Sequence, residues 1–273
     1  MSSSQFSATA RGPSVTLSTS SVYPLGVEAA FEVASRLGYD GVEVMVLADP
    51  LTQDASALNA LADRHGLPVL SVHAPTLLVT QRVWGTSDPW PKVDRSIDLA
   101  LDVGCDTVVL HPPFRWQRDY ARSFADGVAL REDERGVRLA VENMFPWRAR
   151  QTQVLQAYMP SWDPVPHPFD SVTLDLSHAA TAGSEVLDMQ SALGERLTHV
   201  HLADGSGSML DEHLVPGRGS QPCGEFLRRL GADGYAGVVA VEVSTRKVGP
   251  SQRESDLAES LLFARTHLAP NGV

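Results

Sequence analysis

Short apolar runs alternate with longer amphipathic segments along almost the whole chain. The runs are rich in β-branched residues and are bounded by glycine, proline or polar residues, which is typical of strands. In the segments between them, apolar residues recur at i, i+3, i+4 and i+7, and several segments end in glycine, as helices do. The pattern predicts eight strands, at 15–22, 41–46, 68–74, 107–112, 138–144, 172–178, 198–204 and 237–244, and helices that include 26–38, 54–66, 92–104 and 253–268.

Eight strand–helix units in series predict an α/β fold, a single (β/α)8 TIM barrel. Nearly continuous apolar strands indicate a parallel sheet buried on both faces, and eight strands are the number that closes. The alternative is an open doubly wound sheet, but the glycine-rich turn that often follows its first strand is missing. We expect a flexible tail over 1–13 and the barrel over 14–273. Around 145–171 we expect a proline-rich loop insertion with a short helix, at the active-site end.

Composition narrows the functional classes. The chain of 273 residues is 43% hydrophobic and carries a formal net charge of −11, which opposes attraction to nucleic acid. Cys105 and Cys223 form no CxxC pair and no disulfide framework, which is typical of the reduced cytoplasm. The sequence has no apolar run near the roughly 20 residues that span a bilayer, and its N-terminus lacks the apolar core of a signal peptide. We expect a cytoplasmic protein with a small-molecule partner, and a homo-oligomer stays open.

Residues that can ligate metals recur near the ends of the third to eighth predicted strands. The set is His73, His111, Glu142, Asp175, His178, His201, Asp211, His213 and Glu242. Because the carboxyl ends of barrel strands open on one face, these residues should converge in one cup. Carboxylates crowded there would repel each other and lose solvation, and a cation removes that cost. Imidazole and carboxylate together suit zinc, manganese, iron or cobalt, so we predict a site for one to three divalent ions.

Some residues have two interpretations at this level. His199 shares an inward strand face with His201, one layer deeper, and is assigned to the barrel interior or to support of the site. Glu43 either faces the pocket or is a structural rim residue. Asp211 and His213 either complete a second or third ion or shape the loop over the substrate.

Seven short motifs, in this order and placement, carry a family resemblance. They are "SVHAP", "LHPP", "AVEN", "LDLSH", "HLAD", "DEHLVPGRG" and "VEVS", and together they resemble the xylose-isomerase-like TIM barrels, from about residue 15 to 268. That superfamily includes many sugar isomerases and epimerases and the endonuclease IV (AP endonuclease family 2) branch. In the sugar branch one metal is held by two glutamates, an aspartate and a histidine, which implies Glu142, Asp175, His201 and Glu242. In the endonuclease IV branch a three-zinc cluster adds ligands, which implies His73, His111, His178, Asp211 and His213.

The resemblance implies two kinds of reaction. In an isomerase or epimerase of a sugar or sugar phosphate, a divalent metal polarises the substrate, and Glu142 and Glu242 move the proton through an enediolate. In a zinc phosphoesterase, two or three ions activate water and clamp a small phosphate ester. DNA fits less well as a substrate because the chain is acidic and its loop 47–54 lacks the arginine with which endonuclease IV-like proteins probe the duplex. A non-catalytic metal-binding barrel is the third interpretation.

Candidate substrate contacts lie in the loops that follow the predicted strands. Arg218, Arg115 and Arg148 follow the seventh, fourth and fifth strands and could reach a phosphorylated substrate, and Trp116 could stack on a sugar. The alternative for the arginines is a solvated loop position.

Overall fold

The computed structural model describes residues 12–76, 80, 82–148 and 154–269, and its backbone closes into a barrel of parallel strands. The eight barrel strands are β1 Ser14–Ser18, β2 Gly41–Met45, β3 Val69–His73, β4 Thr107–Leu110, β5 Arg138–Glu142, β6 Val172–Asp175, β7 Leu197–Leu202 and β8 Val238–Val241. Neighbouring strands follow chain order, and β1 pairs with β8 to complete the ring. The predicted (β/α)8 fold is confirmed. Each strand starts within one residue of its predicted start and ends before its predicted end.

Eight α-helices accompany the strands in the described part of the chain. They are α1 Val27–Leu37, α2 Ala55–His65, α3 Pro89–Val103, α4 Arg118–Arg135, α5 Leu176–Ala182, α6 Val186–Leu193, α7 Cys223–Ala232 and α8 Pro250–Leu268. Helix α3 starts three residues before the predicted 92–104, because the Asp88 side chain accepts the N–H of Trp90 and Pro89 occupies the first turn. It ends at Gly104, whose φ of 84° lies in the left-handed region. Glycine adopts this conformation without strain because it has no Cβ.

The connection between β5 and β6 is a long irregular loop. Trp147–Arg148 pairs antiparallel with Val154–Leu155, and Phe114 forms an isolated bridge with Tyr158. The part of 145–171 that the structure describes contains no helix, and residues 149–153 lie outside the described residues, so the predicted short helix stays a prediction. Proline lacks an N–H and pushes the preceding residue out of the helical region, so this proline-rich stretch does not sustain a helix. Instead, both α5 and α6 follow β6.

Alternation along the strands separates two environments. Outward-facing apolar residues pack against the helices, where Phe31, Phe124 and Phe226 are fully buried. Inward-facing positions carry the polar groups of the site, as His199 and His201 do on β7. Cys105 and Cys223 are both buried, and neither forms a disulfide. In the parts of the chain that are described, no helix combines the length and apolar character that crossing a bilayer requires. Most of the predicted tail, residues 1–11, lies outside the described residues.

Candidate metal centre

The nine predicted ligand residues meet at the carboxyl-terminal mouth of the barrel. His73, Glu142 and Asp175 are the last residues of β3, β5 and β6, and His201 is the penultimate residue of β7. His111, His178 and Glu242 lie within three residues of a strand end, and Asp211 and His213 lie in the loop between β7 and α7. All but Asp211 and His213 are buried. The placement follows from the parallel barrel, which brings every strand end to the same rim.

Four of these residues surround one point. Glu142, Asp175, His201 and Glu242 each offer a ligand atom, and these atoms lie within 4.8 Å of one another. The Nδ1 atom of His201 is 3.1 Å from Glu142 Oε1, 3.0 Å from Glu242 Oε2 and 3.6 Å from Asp175 Oδ2. Bonds of about 2.0–2.2 Å to a shared ion place its ligand atoms about 3.0–3.6 Å apart. The three distances from His201 Nδ1 therefore match those between ligands of one ion.

The carboxylate of Asp175 shows the orphaned atom that a cation would satisfy. Its Oδ1 accepts the N–H of His178 at 2.7 Å and so caps α5, whereas the buried Oδ2 has no hydrogen-bond partner. Asn143 fixes the Asp175 main chain from both sides, accepting its N–H at 2.6 Å and donating to its carbonyl at 3.0 Å. Buried acceptors are rarely left unsatisfied, so the unpartnered oxygen beside His201 fits a metal ligand.

Two further groups of ligands adjoin the quartet. On one side, the Oε2 atom of Glu142 lies 3.2 Å from His73 Nε2 and 3.1 Å from His111 Nε2. On the other side, the Oδ2 atom of Asp211 lies 3.3 Å from His178 Nε2 and 3.0 Å from His213 Nε2.

The loop carrying Asp211 and His213 is itself tied to the barrel. Ser177 donates to Asp211 Oδ1 at 2.9 Å and accepts the N–H of His213 at 3.0 Å. All nine residues predicted from the sequence are thus brought together.

Three of the histidines use their ring nitrogens in the same way. One nitrogen lies against a main-chain carbonyl, with His73 Nδ1 at 3.3 Å from Ala74 O, His178 Nδ1 at 2.9 Å from Asn143 O and His213 Nδ1 at 2.8 Å from Glu242 O. The other nitrogen faces a carboxylate of the cup. A neutral imidazole has one N–H, which the carbonyl takes, so the second nitrogen turns a lone pair toward a negative charge. Either a proton or a metal ion must lie between them, and metal-ligating histidines show this arrangement.

The electrostatics of the metal-free cup follow from that crowding. Burial alone would raise the pKa of Glu142, but the rings of His201 and His111 hold it well below its usual range. Burial likewise opposes charge on His201, yet Glu242, Glu43 and Glu142 raise its pKa well above the ordinary value. For Glu242, burial is outweighed by His201, and the pKa falls to about 2. Without a metal, Glu142 and Glu242 are therefore ionised and His201 holds a proton.

A cavity of about 380 Å³ opens above these residues. Its walls are largely aromatic and sulfur-containing, formed by Met45, Phe114, Met144, Phe145, Trp147 and Tyr158. Tyr158 stacks on Phe114 with ring centroids 5.1 Å apart, and Trp147 lies 5.6 Å from the same ring. The described residues that line the cavity include no lysine or arginine.

The structure does not bring the predicted substrate arginines to this cavity. Arg218 forms ion pairs with Asp256, at 2.9 Å, and with Glu259, both on α8. The backbone around it is held by the buried Asp204, which accepts the N–H groups of Gly217 and Gly219 at 2.9 Å each. The prediction of a substrate role for Arg218 is therefore corrected, because these hydrogen bonds turn its side chain toward the outer helix.

The other predicted contacts are peripheral or undescribed. Arg115 is exposed, and Trp116 is 52% exposed, stacked on Phe114 at 4.6 Å; neither lines the cavity. Both follow β4 in a loop whose backbone pairs with the β5–β6 loop, and Phe114 is the residue that faces inward. The side chain of Arg148 lies outside the described residues.

Two residues that the sequence left undecided belong to the site. Glu43 on β2 is fully buried and lies 2.9 Å from His201 Nε2, and His199 lies directly below, 3.0 Å from the same carboxylate. Ser20, which sequence reasoning missed, donates to Glu242 Oε1 at 2.9 Å. The sequence signal for His199 was its spacing of two from His201 on β7, which places both side chains on the inward face. The signal for Glu43 was an acidic residue inside an otherwise apolar strand.

Fold and site together define a class: a single (β/α)8 barrel with an imidazole–carboxylate centre at its carboxyl-terminal mouth. The sequence profile of the xylose isomerase-like TIM barrel family matches residues 31–267, and the chain belongs to that family. An uncharacterized protein of Mycobacterium tuberculosis is 52% identical over 273 residues, covering 93% of this chain and 97% of the relative.

Named relatives are more distant. Fructoselysine 3-epimerase of Shigella flexneri is 24% identical over 243 residues, covering 81% of this chain and 86% of that enzyme. Among solved structures, a D-tagatose 3-epimerase-like protein superposes with a TM-score of 0.67 at 21% identity, covering 94% of this chain and 100% of the other. That structural likeness shows a shared fold.

Proposed function

We propose that this chain is a divalent-metal-dependent enzyme that isomerises or epimerises a small sugar. The observation that carries the proposal is the convergence of Glu142, Asp175, His201 and Glu242 within 4.8 Å of one another, with an unpartnered oxygen on Asp175. The epimerase named among the relatives supports the same reaction class. Zinc, manganese, cobalt and iron all suit this mixed imidazole and carboxylate set.

The two glutamates are suited to carry the proton. When bound, a divalent ion supplies Lewis-acid polarisation of a sugar carbonyl and its neighbouring hydroxyl. Glu142 and Glu242 come from β5 and β8, the strands that flank β6 and β7, so they approach the centre from two sides. One ionised carboxylate takes the proton next to the carbonyl, giving an enediolate. Return of the proton to the other face of that carbon inverts it, and return to the adjacent carbon converts aldose to ketose.

Ser20 and the histidines hold these carboxylates in place. Ser20 donates to Oε1 of Glu242, which fixes the rotamer and leaves Oε2 turned to the centre. Glu142 uses both oxygens against histidine rings, Oε1 toward His201 and His178 and Oε2 toward His73 and His111. Glu142 is therefore the more constrained carboxylate, and Glu242 has more freedom to meet the substrate.

The lining of the cavity supports an uncharged substrate. Aromatic faces such as Trp147 and Phe114 suit the C–H surface of a sugar ring, and the described lining offers no lysine or arginine for a phosphate. Among the sugar and sugar-phosphate options, we therefore propose the unphosphorylated sugar.

Proton exchange with solvent tests the proposal directly. Metal-loaded protein is incubated in D2O with unphosphorylated ketoses and aldoses, and deuterium at carbon is followed by NMR and mass spectrometry. We expect incorporation together with a new isomer, and loss of both after chelation. Matched Glu142→Gln and Glu242→Gln variants should fold and lose exchange. Zinc-dependent phosphate release without carbon exchange would contradict the proposal.

A specific observation favours one second candidate, the zinc phosphoesterase. The groups His73–His111–Glu142 and His178–Asp211–His213 flank the quartet and share or adjoin its carboxylates. This supply of ligands exceeds what one ion needs. Elemental analysis of protein produced in zinc-supplemented medium, together with the two activity assays, separates the candidates. Two or three ions per chain with hydrolysis of a phosphate ester favour the phosphoesterase. One ion per chain with deuterium exchange at carbon favours the isomerase.

A further inference from the structure

A buried carboxylate underlies the candidate metal centre. Glu43 is the third residue of β2, is 0% exposed and pairs in register with Ser71 of β3. Its Oε1 lies 2.9 Å from His201 Nε2, while its Oε2 lies 3.0 Å from His199 Nε2 and accepts the Ser71 hydroxyl at 2.8 Å. The side chain of Glu43 on β2 thus contacts the neighbouring strand β3 and, across the barrel, β7, where it touches the one histidine of the quartet.

His201 differs from the other cup histidines in how its outer nitrogen is held. His73, His178 and His213 each turn one nitrogen to a main-chain carbonyl, a neutral acceptor. His201 instead turns this nitrogen, Nε2, to the carboxylate of Glu43 at 2.9 Å. His178 Nδ1 also has a carboxylate nearby, Glu142 Oε1 at 3.2 Å, but in addition to its main-chain carbonyl. A fully buried carboxylate loses several kcal/mol of solvation, and an apolar side chain at that position would avoid the cost. The presence of a carboxylate at this position is therefore explained by its hydrogen bonds to His201 and His199.

We propose that Glu43 is a positioning residue that holds the proton of His201 on Nε2 and presents Nδ1 to the metal. The inference rests on the proposed metal-dependent function. An ionised acceptor fixes the ring orientation and the tautomer, and it makes the opposite nitrogen a stronger ligand. The Nδ1 atom of His201 is the one that faces Glu142, Asp175 and Glu242.

His199 supports the carboxylate from below. The Nε2 atom of His199 faces only acceptors, because Glu43 Oε2 lies 3.0 Å away and the Ser71 hydroxyl, at 3.3 Å, already donates its proton to Glu43. Nε2 of His199 therefore carries the ring proton. A protonated Nε2 cannot ligate a metal, so the Glu43–His199–His201 group is a hydrogen-bonded support and not a separate ion site. Glu43 therefore receives three donors, from His199, Ser71 and His201.

Cobalt binding to the chelated full-length protein tests the inference, with Glu43→Gln as the variant. Glutamine keeps the size of the side chain and removes its charge. Loss of such a supporting partner typically weakens metal affinity 10–100-fold, and we expect that range with unchanged stoichiometry and an altered visible absorption spectrum of bound Co²⁺. Asp256→Asn is the matched control, because Asp256 is also buried but lies on α8 against Arg218. This control should lower thermal stability without changing cobalt affinity or spectrum.

Two results would overturn the inference. Wild-type affinity and spectrum in folded Glu43→Gln would show that the carboxylate does not act through His201, while leaving the proposed function intact. If that variant does not fold, nitrogen-15 NMR of zinc-loaded wild type decides, since a His201 proton found on Nδ1 contradicts the inference by itself. A wild-type chain that binds no divalent ion refutes the proposed function instead, so the two failures are distinguishable.

Discussion

Asp175→Asn separates the metal-binding role of one carboxylate from its structural role. Oδ1 caps α5 through the N–H of His178, whereas Oδ2 is buried, unpartnered and turned toward His201. Asparagine can keep the capping oxygen and replaces the unpartnered one with an NH2 group. We therefore expect the metal-free variant to be about as stable as wild type and to lose most of the stabilisation that metal provides.

The size of the loss can be worked out. A ligand at a thousand times its dissociation constant stabilises by about 4 kcal/mol. A chain of 273 residues has an unfolding entropy of about 0.6 kcal/mol per degree, so metal should raise Tm by about 7 °C. Losing a direct ligand costs at least about 100-fold in affinity, since outer partners alone contribute that much. At the same metal concentration, metal then stabilises the variant by only about 1.4 kcal/mol and raises its Tm by roughly 2 °C.

Calorimetry with and without chelator measures both the stability of the metal-free protein and the stabilisation that metal adds. Asp175→Ala is the control that removes the cap as well, and it should lose about a further 1 kcal/mol in the metal-free state. A full metal-dependent rise in Tm for Asp175→Asn would refute the ligand assignment. Equal losses for the two variants in chelator would refute the capping argument.

Three other outcomes follow from the same geometry. Glu242→Gln should lower turnover by about 10²–10⁴ at a metal concentration high enough to keep the weakened site loaded, measured by deuterium exchange and elemental analysis. Arg218→Ala should leave KM unchanged and lower Tm by less than about 2 °C, because its partners lie on α8; a raised KM contradicts this. The metal-free protein should be most stable between pH 4.5 and 6.5, as Tm against pH in chelator would show. The contribution of Glu242 is lost as pH falls from 4.5 through its pKa of about 2, and that of His213 as pH rises from 6.5 through its pKa of about 10.

The sequence predicted the barrel well because its signal is local. Each strand is a short apolar run between turn residues, and the closed ring needs only the number and order of these runs. It predicted the residues of the candidate site for the same reason, since residues at the carboxyl ends of parallel barrel strands all lie at the same mouth. His73, Glu142 and Asp175 needed no knowledge of loop geometry, because each ends a strand.

The predictions that failed depended on loops and on long-range contacts. Arg218 follows β7 in sequence, but Asp204 fixes the loop backbone and α8 supplies the acidic partners, none of which a local pattern reveals. Glu43 stayed undecided because its role depends on β7 lying across the barrel from β2, as its contact with His201 shows. The absence of a helix in the described part of 145–171 is a propensity effect, because its prolines lack the N–H that a helix needs.

Protons and metal compete for the same nitrogens, and this competition ties the pH behaviour to the proposed function. In the metal-free cup the carboxylates raise the pKa of His178, His201 and His213, so these rings hold protons that a metal must displace. Metal affinity therefore increases with pH in the range where the metal-free protein loses the stability that charged histidine provides. The Tm difference between loaded and chelated protein should widen as pH rises above 6.5. A cluster that served only to pair protonated histidine with carboxylate would lose stability over that range with no metal-dependent gain to offset it.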